Sequence, residues 1–270
     1  MAIHLTNFAS ALRDRGDLQG AKRLLERAVT VEEAAHGPDH PEVAVRLNNL
    51  ADLLRDLGDL REAKARLKRA LAIDEATYGT DHPEVTSDLN NLAGVLRGLG
   101  DLPGAKQCCE RTLAINVATY GADHPIVGTA LNNLAGVLQD LGDLQGARRC
   151  FERALKIYQS VLGHDHLWLG VILDNLGSLL RSVGDLQGAR ERFEQALEIY
   201  ETVLGLDHPW MGVILNNLGL VLHDLDDLEA AMESFEQALV ITEAALGADY
   251  PDVAVLARNL EIVRAVLREQ

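Results

Sequence analysis

The sequence predicts an all-α solenoid built from helix-turn-helix repeats, and three observations lead to this fold class. Two sequence markers return every 42 residues, apolar residues follow helical spacing between the markers, and aromatic residues make up only 4% of the chain. With so few aromatics, the interior must be built mainly from Leu, Ala and Val. That mixture favours helices over a β-sandwich.

The period is defined by two short markers in phase with each other. The triplet Asp-His-Pro, or a close variant of it, begins at Asp39, Asp81, Asp123, Asp165, Asp207 and Asp249. The triplet Gly-Asp-Leu begins at Gly16, Gly58, Gly100, Gly142 and Gly184, and its sixth copy is Asp226-Asp227-Leu228. A fixed period of this length is typical of solenoids.

Each unit contains two helices joined by a tight turn, as residues 39–80 illustrate. Between Pro41 and Leu57 the apolar residues recur at steps of three and four, which predicts an amphipathic helix A. Gly58 suits the left-handed position that ends a helix. A longer helix B then follows, to about Tyr78.

Polar residues at the helix starts predict N-caps. Asp59 is the expected cap of helix B and forms a capping box with Glu62, although Gly replaces this glutamate in several copies. Asp81 is the expected cap of the next helix A, with His82 and Pro83 in its first turn.

One helix pair cannot bury its apolar stripes alone, so successive pairs are expected to stack. The first copy is expected to begin mid-helix near Leu5, and the chain to end in a single polar helix. The predicted units are residues 1–38 (partial or N-terminal), 39–80, 81–122, 123–164, 165–206 and 207–248, followed by a capping helix in 249–270.

The charge of the chain bears on its partners. The formal net charge is -16, which argues against a nucleic-acid surface because phosphate binding needs a basic stripe. Residues 1–112 hold 15 basic and 18 acidic side chains, a net of -3, whereas residues 113–270 hold 10 and 23, a net of -13. An acidic ligand is therefore expected to prefer the N-terminal half.

The sequence shows neither a secretory signal nor an apolar stretch long enough to span a membrane, so a soluble, cytoplasmic protein is expected. Cys108, Cys109 and Cys150 are too few and too irregular for a disulfide framework or a zinc site, and we interpret them as packed helix residues.

The histidines of the first marker do not predict a metal site. Copies 42 residues apart lie on one ridge at about 10 Å, too far for shared coordination. His164 and His166 are closer, but only Asp165 accompanies them. No unique catalytic constellation is present, so we expect neither enzymatic activity nor a cofactor.

The repeats resemble the tetratricopeptide repeat family. The spacing of its signature is matched by Leu89, Leu92, Ala93, Leu96, Gly100, Ala105, Cys109 and Thr112. The 42-residue unit, with Leu-Asn-Asn-Leu-Ala in helix A and Gly-x-Asp-His-Pro between copies, looks like the kinesin light chain subclass. The resemblance implies a right-handed superhelix and a concave groove lined by helix A. It departs where many family members have a large aromatic, which is Leu47, Leu89 or Leu131 here.

An asparagine stands at one fixed place in every helix A. The seven copies are Asn7, Asn49, Asn91, Asn133, Asn175, Asn217 and Asn259, and Asn48, Asn90 and Asn132 precede three of them. Asn is a mediocre helix former, so its recurrence needs a reason. The family resemblance places this position in the groove, where an amide could clamp a peptide backbone; the array could then hold about 18 extended residues. Alternatively, Asn bonds the neighbouring repeat and only fixes stacking.

Other candidate binding residues lie near this row. Six residues after the asparagines come Arg13, Arg55, Arg97, Gln139, Arg181 and His223. They are expected at the groove edge, where the arginines are either solvated or bind carboxylates. Trp168 and Trp210, 42 residues apart, either anchor a ligand or staple the preceding loop.

Three functional hypotheses remain open on the sequence alone. The first is a scaffold that binds an extended peptide of a partner protein in the groove. The second is a sensor arm of a larger signalling ATPase, since similar arrays occur at the C-terminal end of such proteins. The third is self-assembly through stacking of the N-terminal end on another copy.

Overall fold

The computed structural model describes residues 1–163 and 166–269, and within them it contains thirteen α-helices and no strand. The chain forms two compact units, 1–141 and 142–270. The first holds α1 (Ala2–Asp14), α2 (Leu18–His36), α3 (Pro41–Asp56), α4 (Leu60–Tyr78), α5 (Val85–Gly98), α6 (Leu102–Tyr120) and α7 (Pro125–Asp140). The second holds α8 (Leu144–Leu162), α9 (Leu167–Ser182), α10 (Leu186–Leu204), α11 (Pro209–Asp224), α12 (Leu228–Leu246) and α13 (Pro251–Glu269).

Within each unit, consecutive helices pack against each other as antiparallel neighbours. The odd-numbered helices are the A helices and the even-numbered ones the B helices. Neighbouring A helices also touch directly: α1 contacts α3, α3 contacts α5, and α9 contacts α11. Like positions of successive repeats therefore lie side by side within each unit. The first A helix, α1, begins at Ala2 and has 13 residues, against 16 in α3.

The turn between helix A and helix B uses a left-handed residue in every repeat. Gly58 has φ 78°, and its glycine equivalents take similar values. In the last pair, Asp226 takes this place with φ 63°, and it is the one non-glycine residue with positive φ in the described chain. A side chain at this φ is strained, which explains why the other copies keep glycine.

The capping of helix B differs from the expected capping box. Asp17, Asp101, Asp143 and Asp185 each accept a hydrogen bond from the backbone N–H of a glycine three residues later. Asp59 makes no such bond, and Glu62 pairs instead with Lys22 and Arg66. The predicted Asp59–Glu62 box is therefore wrong. Glycine suits this position because a Cβ at Gly20 would lie 2.2 Å from the Asp17 carboxylate.

The N-cap of helix A is the histidine of the marker, not the aspartate. His40 Nδ1 accepts from the Glu42 backbone N–H at 3.2 Å, and His124, His166 and His208 cap their helices in the same way. His82 makes the same bond at 3.3 Å, although α5 begins only at Val85. The predicted cap role of Asp81 is wrong, because the ring nitrogen reaches the free N–H. His164 and Asp165 lie outside the described residues.

The core alternates small and large side chains between paired helices. Ala63, Ala105, Ala147, Ala189 and Ala231 are all fully buried. Gly177 on α9 faces the ring of buried Phe193 on α10, and a Cβ there would lie 2.8 Å from Phe193 Cε1. In the third repeat the corresponding pair is Ala93 and Cys109. In the repeats that begin with α9 and α11, the volume lost on helix A is thus balanced by a phenylalanine ring on helix B.

Candidate functional site

The exposed side of the A helices forms a surface that we call the helix-A face. In each A helix it consists of four residues at positions i, i+4, i+7 and i+11, which are Ser87, Asn91, Gly94 and Gly98 in α5. The asparagine of every repeat lies on this face, and all seven are partly or fully exposed. The face in each unit therefore presents a row of side-chain amides.

The amides of Asn91, Asn217 and Asn259 bond to the preceding repeat. Asn91 Nδ2 donates to Asn48 Oδ1 at 3.1 Å, Asn217 Nδ2 to Asp174 Oδ1 at 2.9 Å, and Asn259 Nδ2 to Asn216 Oδ1 at 2.9 Å. The stacking alternative is thus realised at these positions. Each bond uses one of the two amide hydrogens and leaves the amide oxygen available on the exposed side.

The amides between α5 and α7 are different. Here the helix-A face contains a cavity of about 150 Å³, lined by Asn90, Gly94, Arg97 and Asn133, with Cys109 among its walls. Asn90 Oδ1 is buried and receives no hydrogen bond, and Asn133 has no partner among the described residues. Since buried acceptors are normally satisfied, the Asn90 oxygen has unused hydrogen-bonding capacity, and the exposed amide of Asn133 is open to a ligand.

Equivalent cavities occur at two other steps. The cavity between α1 and α3 encloses about 80 Å³ and is lined by Arg13 and Asn49 among others. The cavity between α9 and α11 encloses about 250 Å³ and includes Arg181 and Asn217. All three combine an arginine with the asparagine of the next repeat, so the depression is a property of the repeat.

The candidate arginines all form ion pairs with aspartates on the same face. Arg13 binds Asp52 at 2.7 Å and Asp56 at 2.5 Å. Arg97 binds Asp140, and Arg181 binds Asp224 at 2.6 Å. Arg55 pairs only with Asp52 of its own helix, at 2.5 Å, because the next repeat has Gly98 in the place of the aspartate. The arginine charges are therefore compensated within the chain.

The two tryptophans are exposed at the start of their A helices. Trp168 is 47% and Trp210 41% exposed. The Trp210 ring meets Tyr200 edge-on at 5.7 Å and His208 at 5.8 Å. Trp210 thus both packs on the preceding loop and leaves part of its ring open to solvent.

Two carboxyl groups, the buried Asp88 and the half-buried Asp74, face each other behind the helix-A face. Asp74 on α4 and Asp88 on α5 interact directly, and Asn48 donates to Asp88 from α3. Burial, and then the charge of Asp88, raises the pKa of Asp74 to about 7. Burial also raises the pKa of Asp88, so the pair retains a proton where isolated aspartates have lost theirs.

One repeat earlier, the same two positions hold a matched ion pair. Glu32 on α2 corresponds to Asp74, and Arg46 on α3 corresponds to Asp88. Arg46 Nε donates to Glu32 Oε2 at 3.1 Å. Relative to that repeat, the acid pair is the result of one charge reversal, from Arg46 to Asp88.

Comparisons with known proteins agree with this geometry. The family model described as tetratricopeptide repeat matches residues 1–76, 53–101, 84–139, 127–202, 172–244 and 210–267, which covers nearly the whole chain. The chain belongs to the tetratricopeptide repeat family. This confirms the predicted all-α solenoid of tetratricopeptide-type repeats.

Solved tetratricopeptide repeat structures are similar over most of the chain. The crystal structure of BtubC (BKLC) from P. vanneervenii has 25% sequence identity and a TM-score of 0.70, covering 87% of this chain and 92% of that one. The Podosopora anserina putative kinesin light chain with nearly identical TPR-like repeats has 24% identity and a TM-score of 0.65, covering 77% and 98%. A search of curated proteins found no match. The repeats are thus kinesin light chain-like, as predicted.

Tetratricopeptide repeats generally mediate protein–protein interactions, and this scaffold fold is not typically catalytic. Burial raises the pKa of the Cys109 thiol to about 12, which leaves it un-ionised and unsuited to act as a nucleophile. Among the described residues there is no group of three or more potential metal ligands. Within the same residues, no helix has the length and hydropathy of a membrane span.

Proposed function

We propose that the helix-A face binds an extended segment of a partner polypeptide, in the groove that the family resemblance implies. The observation that supports this most strongly is the cavity between α5 and α7. Asn133 is exposed and can both donate to and accept from a ligand peptide group, and it lies beside Asn90, whose buried Oδ1 has no donor. Contacts of this kind read the main chain and tolerate varied sequences.

The floor beside these amides lacks side chains. A Cβ at Gly94 would meet only Arg55 Nη1, at 3.9 Å, and a Cβ at Gly136 would meet Arg97 Nη1 at 3.3 Å. Glycine at these positions costs helix stability, and it permits close approach of a second backbone. The glycines thus support a binding role for this part of the face.

The ion pairs bear on the expected preference for an acidic ligand. Arg13 and Arg97 already make charge-assisted bonds to aspartates, so an acidic side chain would have to displace them. Arg55 is better placed, because it faces Gly94 rather than an aspartate of the next repeat. We therefore place any acidic contact at Arg55. The proposal describes a non-catalytic, cytoplasmic interaction module.

A steric block at Gly94 tests the proposal. Peptides selected from a random library on the immobilised protein would be titrated against wild type and Gly94→Phe. Gly94 is exposed and a Cβ there meets no close neighbour, whereas the ring fills the floor of the face, so we expect affinity to fall at least about tenfold without a loss of thermal stability.

The matched control is Gln107→Phe on the exposed side of α6. It adds the same ring outside the helix-A face and should leave affinity unchanged. Equal affinity of wild type and Gly94→Phe for every selected peptide would contradict the proposal.

A further inference from the structure

Another depression lies at the last step of the array, between α11 and α13. It encloses about 430 Å³, and its walls include Trp210 and Val213 of α11, Leu246 of α12 and Val255 of α13. These four side chains are 41–53% exposed. An open cavity with apolar walls is the usual form of a binding site for an apolar group.

The preceding repeat shows what occupies the equivalent space. There Tyr200 is buried with its ring against Gly170, where an added Cβ would lie 2.5 Å from the ring, and the Trp210 ring meets it edge-on. Forty-two residues later, Tyr200 is replaced by Thr242 and Trp210 by Asp252. Two aromatic rings present at one step are therefore missing at the next.

The glycine against which the Tyr200 ring packs is nevertheless retained in the next repeat. Gly212 occupies the place of Gly170, and the Thr242 hydroxyl lies over it, since an added Cβ would be 2.2 Å from Oγ1. Thr242 covers only the base of the space, and the remainder forms the cavity. An apolar cavity of about 150 Å³ is already sufficient to bind benzene.

We propose that this slot, bounded by Trp210, Gly212, Thr242 and Val255, binds an aromatic side chain of the partner polypeptide, tyrosine or phenylalanine. The inference rests on the proposed function for the presence of a polypeptide on this face, and it adds side-chain specificity. The ring takes the place that Tyr200 fills one repeat earlier, and the Trp210 indole forms one apolar wall beside it. Asp252 at the mouth disfavours a carboxylate beside the ring.

A single amino-acid probe tests the slot without a peptide backbone running along the asparagines. In a Trp168→Phe variant, Trp210 is the sole tryptophan, so tryptophan emission reports only on the slot that Trp210 lines. Titration with N-acetyl-L-phenylalaninamide should change its emission saturably, and N-acetyl-L-leucinamide should bind at least tenfold more weakly. No response to the phenylalanine probe, or equal affinity for the leucine probe, would overturn the proposal.

A second experiment fills the slot with a side chain of the protein itself and measures whether the probe still binds. Thr242→Tyr restores the ring of the preceding repeat, so in the Trp168→Phe background we expect loss of probe binding without a lower melting temperature. Val213→Glu places a charge at the exposed mouth of the slot and should weaken probe binding at least tenfold. This variant is the test to use if Thr242→Tyr does not fold. Folded variants that bind the probe as tightly as the parent would refute the slot. Asn133 lies in the other unit, so Asn133→Ala should leave the affinity for the probe unchanged. Probe binding therefore tests the slot alone, whereas the effect of Asn133→Ala on peptide affinity tests the proposed function.

Discussion

Replacing Asp74 by Asn is expected to stabilise the protein at pH 8 by about 1–3 kcal/mol. At this pH the wild-type pair must either carry two adjacent negative charges, one on buried Asp88 and one on half-buried Asp74, or keep a proton that isolated aspartates would have released. Asparagine removes one charge and can donate a hydrogen bond to Asp88 Oδ2, which is otherwise buried without a donor. Chemical denaturation of both proteins at pH 8 measures the difference.

The pH dependence has a definite sign. The pKa of Asp74 is about 7 in the folded protein, against about 3.9 for an unfolded aspartate, so the native state binds this proton more tightly. The contribution of the pair to stability is therefore greatest below about pH 4 and is lost as pH rises towards 7. The stability difference between Asp74→Asn and wild type should accordingly grow from pH 5 to pH 8.

The matched control is Glu32→Gln at the equivalent position of the preceding repeat. Glu32 faces Arg46 rather than an acid, so removing its charge should lower stability by more than about 1 kcal/mol. If Asp74→Asn and Glu32→Gln shifted stability in the same direction, the assignment of opposite charge environments would be wrong.

Gly177→Ala is expected to destabilise the protein by about 1–3 kcal/mol, although alanine is the better helix former. The new methyl group would lie 2.8 Å from Phe193 Cε1, and Phe193 is buried and cannot swing away. Phe193→Leu should relieve the clash, so the double variant should lose less than the sum of the two single losses. A double-mutant cycle measures this coupling.

Gly94→Ala is the internal comparison, because this glycine also lies within an A helix. Its Cβ would meet only Arg55 Nη1, at 3.9 Å, so the substitution should stabilise by up to about 1 kcal/mol. Equal effects of alanine at Gly94 and Gly177 would mean that helix propensity, rather than packing against Phe193, decides the outcome.

The fold could be predicted from the sequence because the two repeated markers lie at the ends of the helices. The predicted start of helix A at Pro41 and end of helix B at Tyr78 are those of α3 and α4. Periodicity alone identifies which face of a helix is buried. It does not identify which of two adjacent polar residues caps a helix, and for this reason the sequence alone does not separate Asp81 from His82.

The site could be predicted only in part, for a related reason. Spacing places Asn91 and Asn133 on the same face, but it does not show that Asn91 bonds to Asn48 whereas Asn133 has no partner among the described residues. That difference depends on contacts across the repeat boundary. The ion pairs of the arginines were missed in the same way, although Arg97 and Asp140 are 43 residues apart and a search at one period plus one would have found them.

The acid pair and the aromatic slot were also absent from the sequence-based predictions. Both are departures of one repeat from its neighbours, at Asp88 and at Thr242. A repeat motif is defined by the residues that the copies share. These two features appear only at equivalent positions where one copy has a residue of different charge or size. A change of charge sign between equivalent positions of successive repeats identifies Asp88, which lies opposite Asp74. A loss of side-chain volume between equivalent positions identifies Thr242, which replaces Tyr200.

The most direct test of the account is the affinity of Asn133→Ala for a selected peptide, measured by isothermal titration calorimetry. Asn133 makes no bond within the described chain, so its loss should weaken binding about tenfold without lowering the unfolding midpoint. Asn91→Ala, which breaks the bond to Asn48, should also lower stability. Wild-type affinity in a folded Asn133→Ala protein would contradict the claim that the asparagine row binds a partner chain.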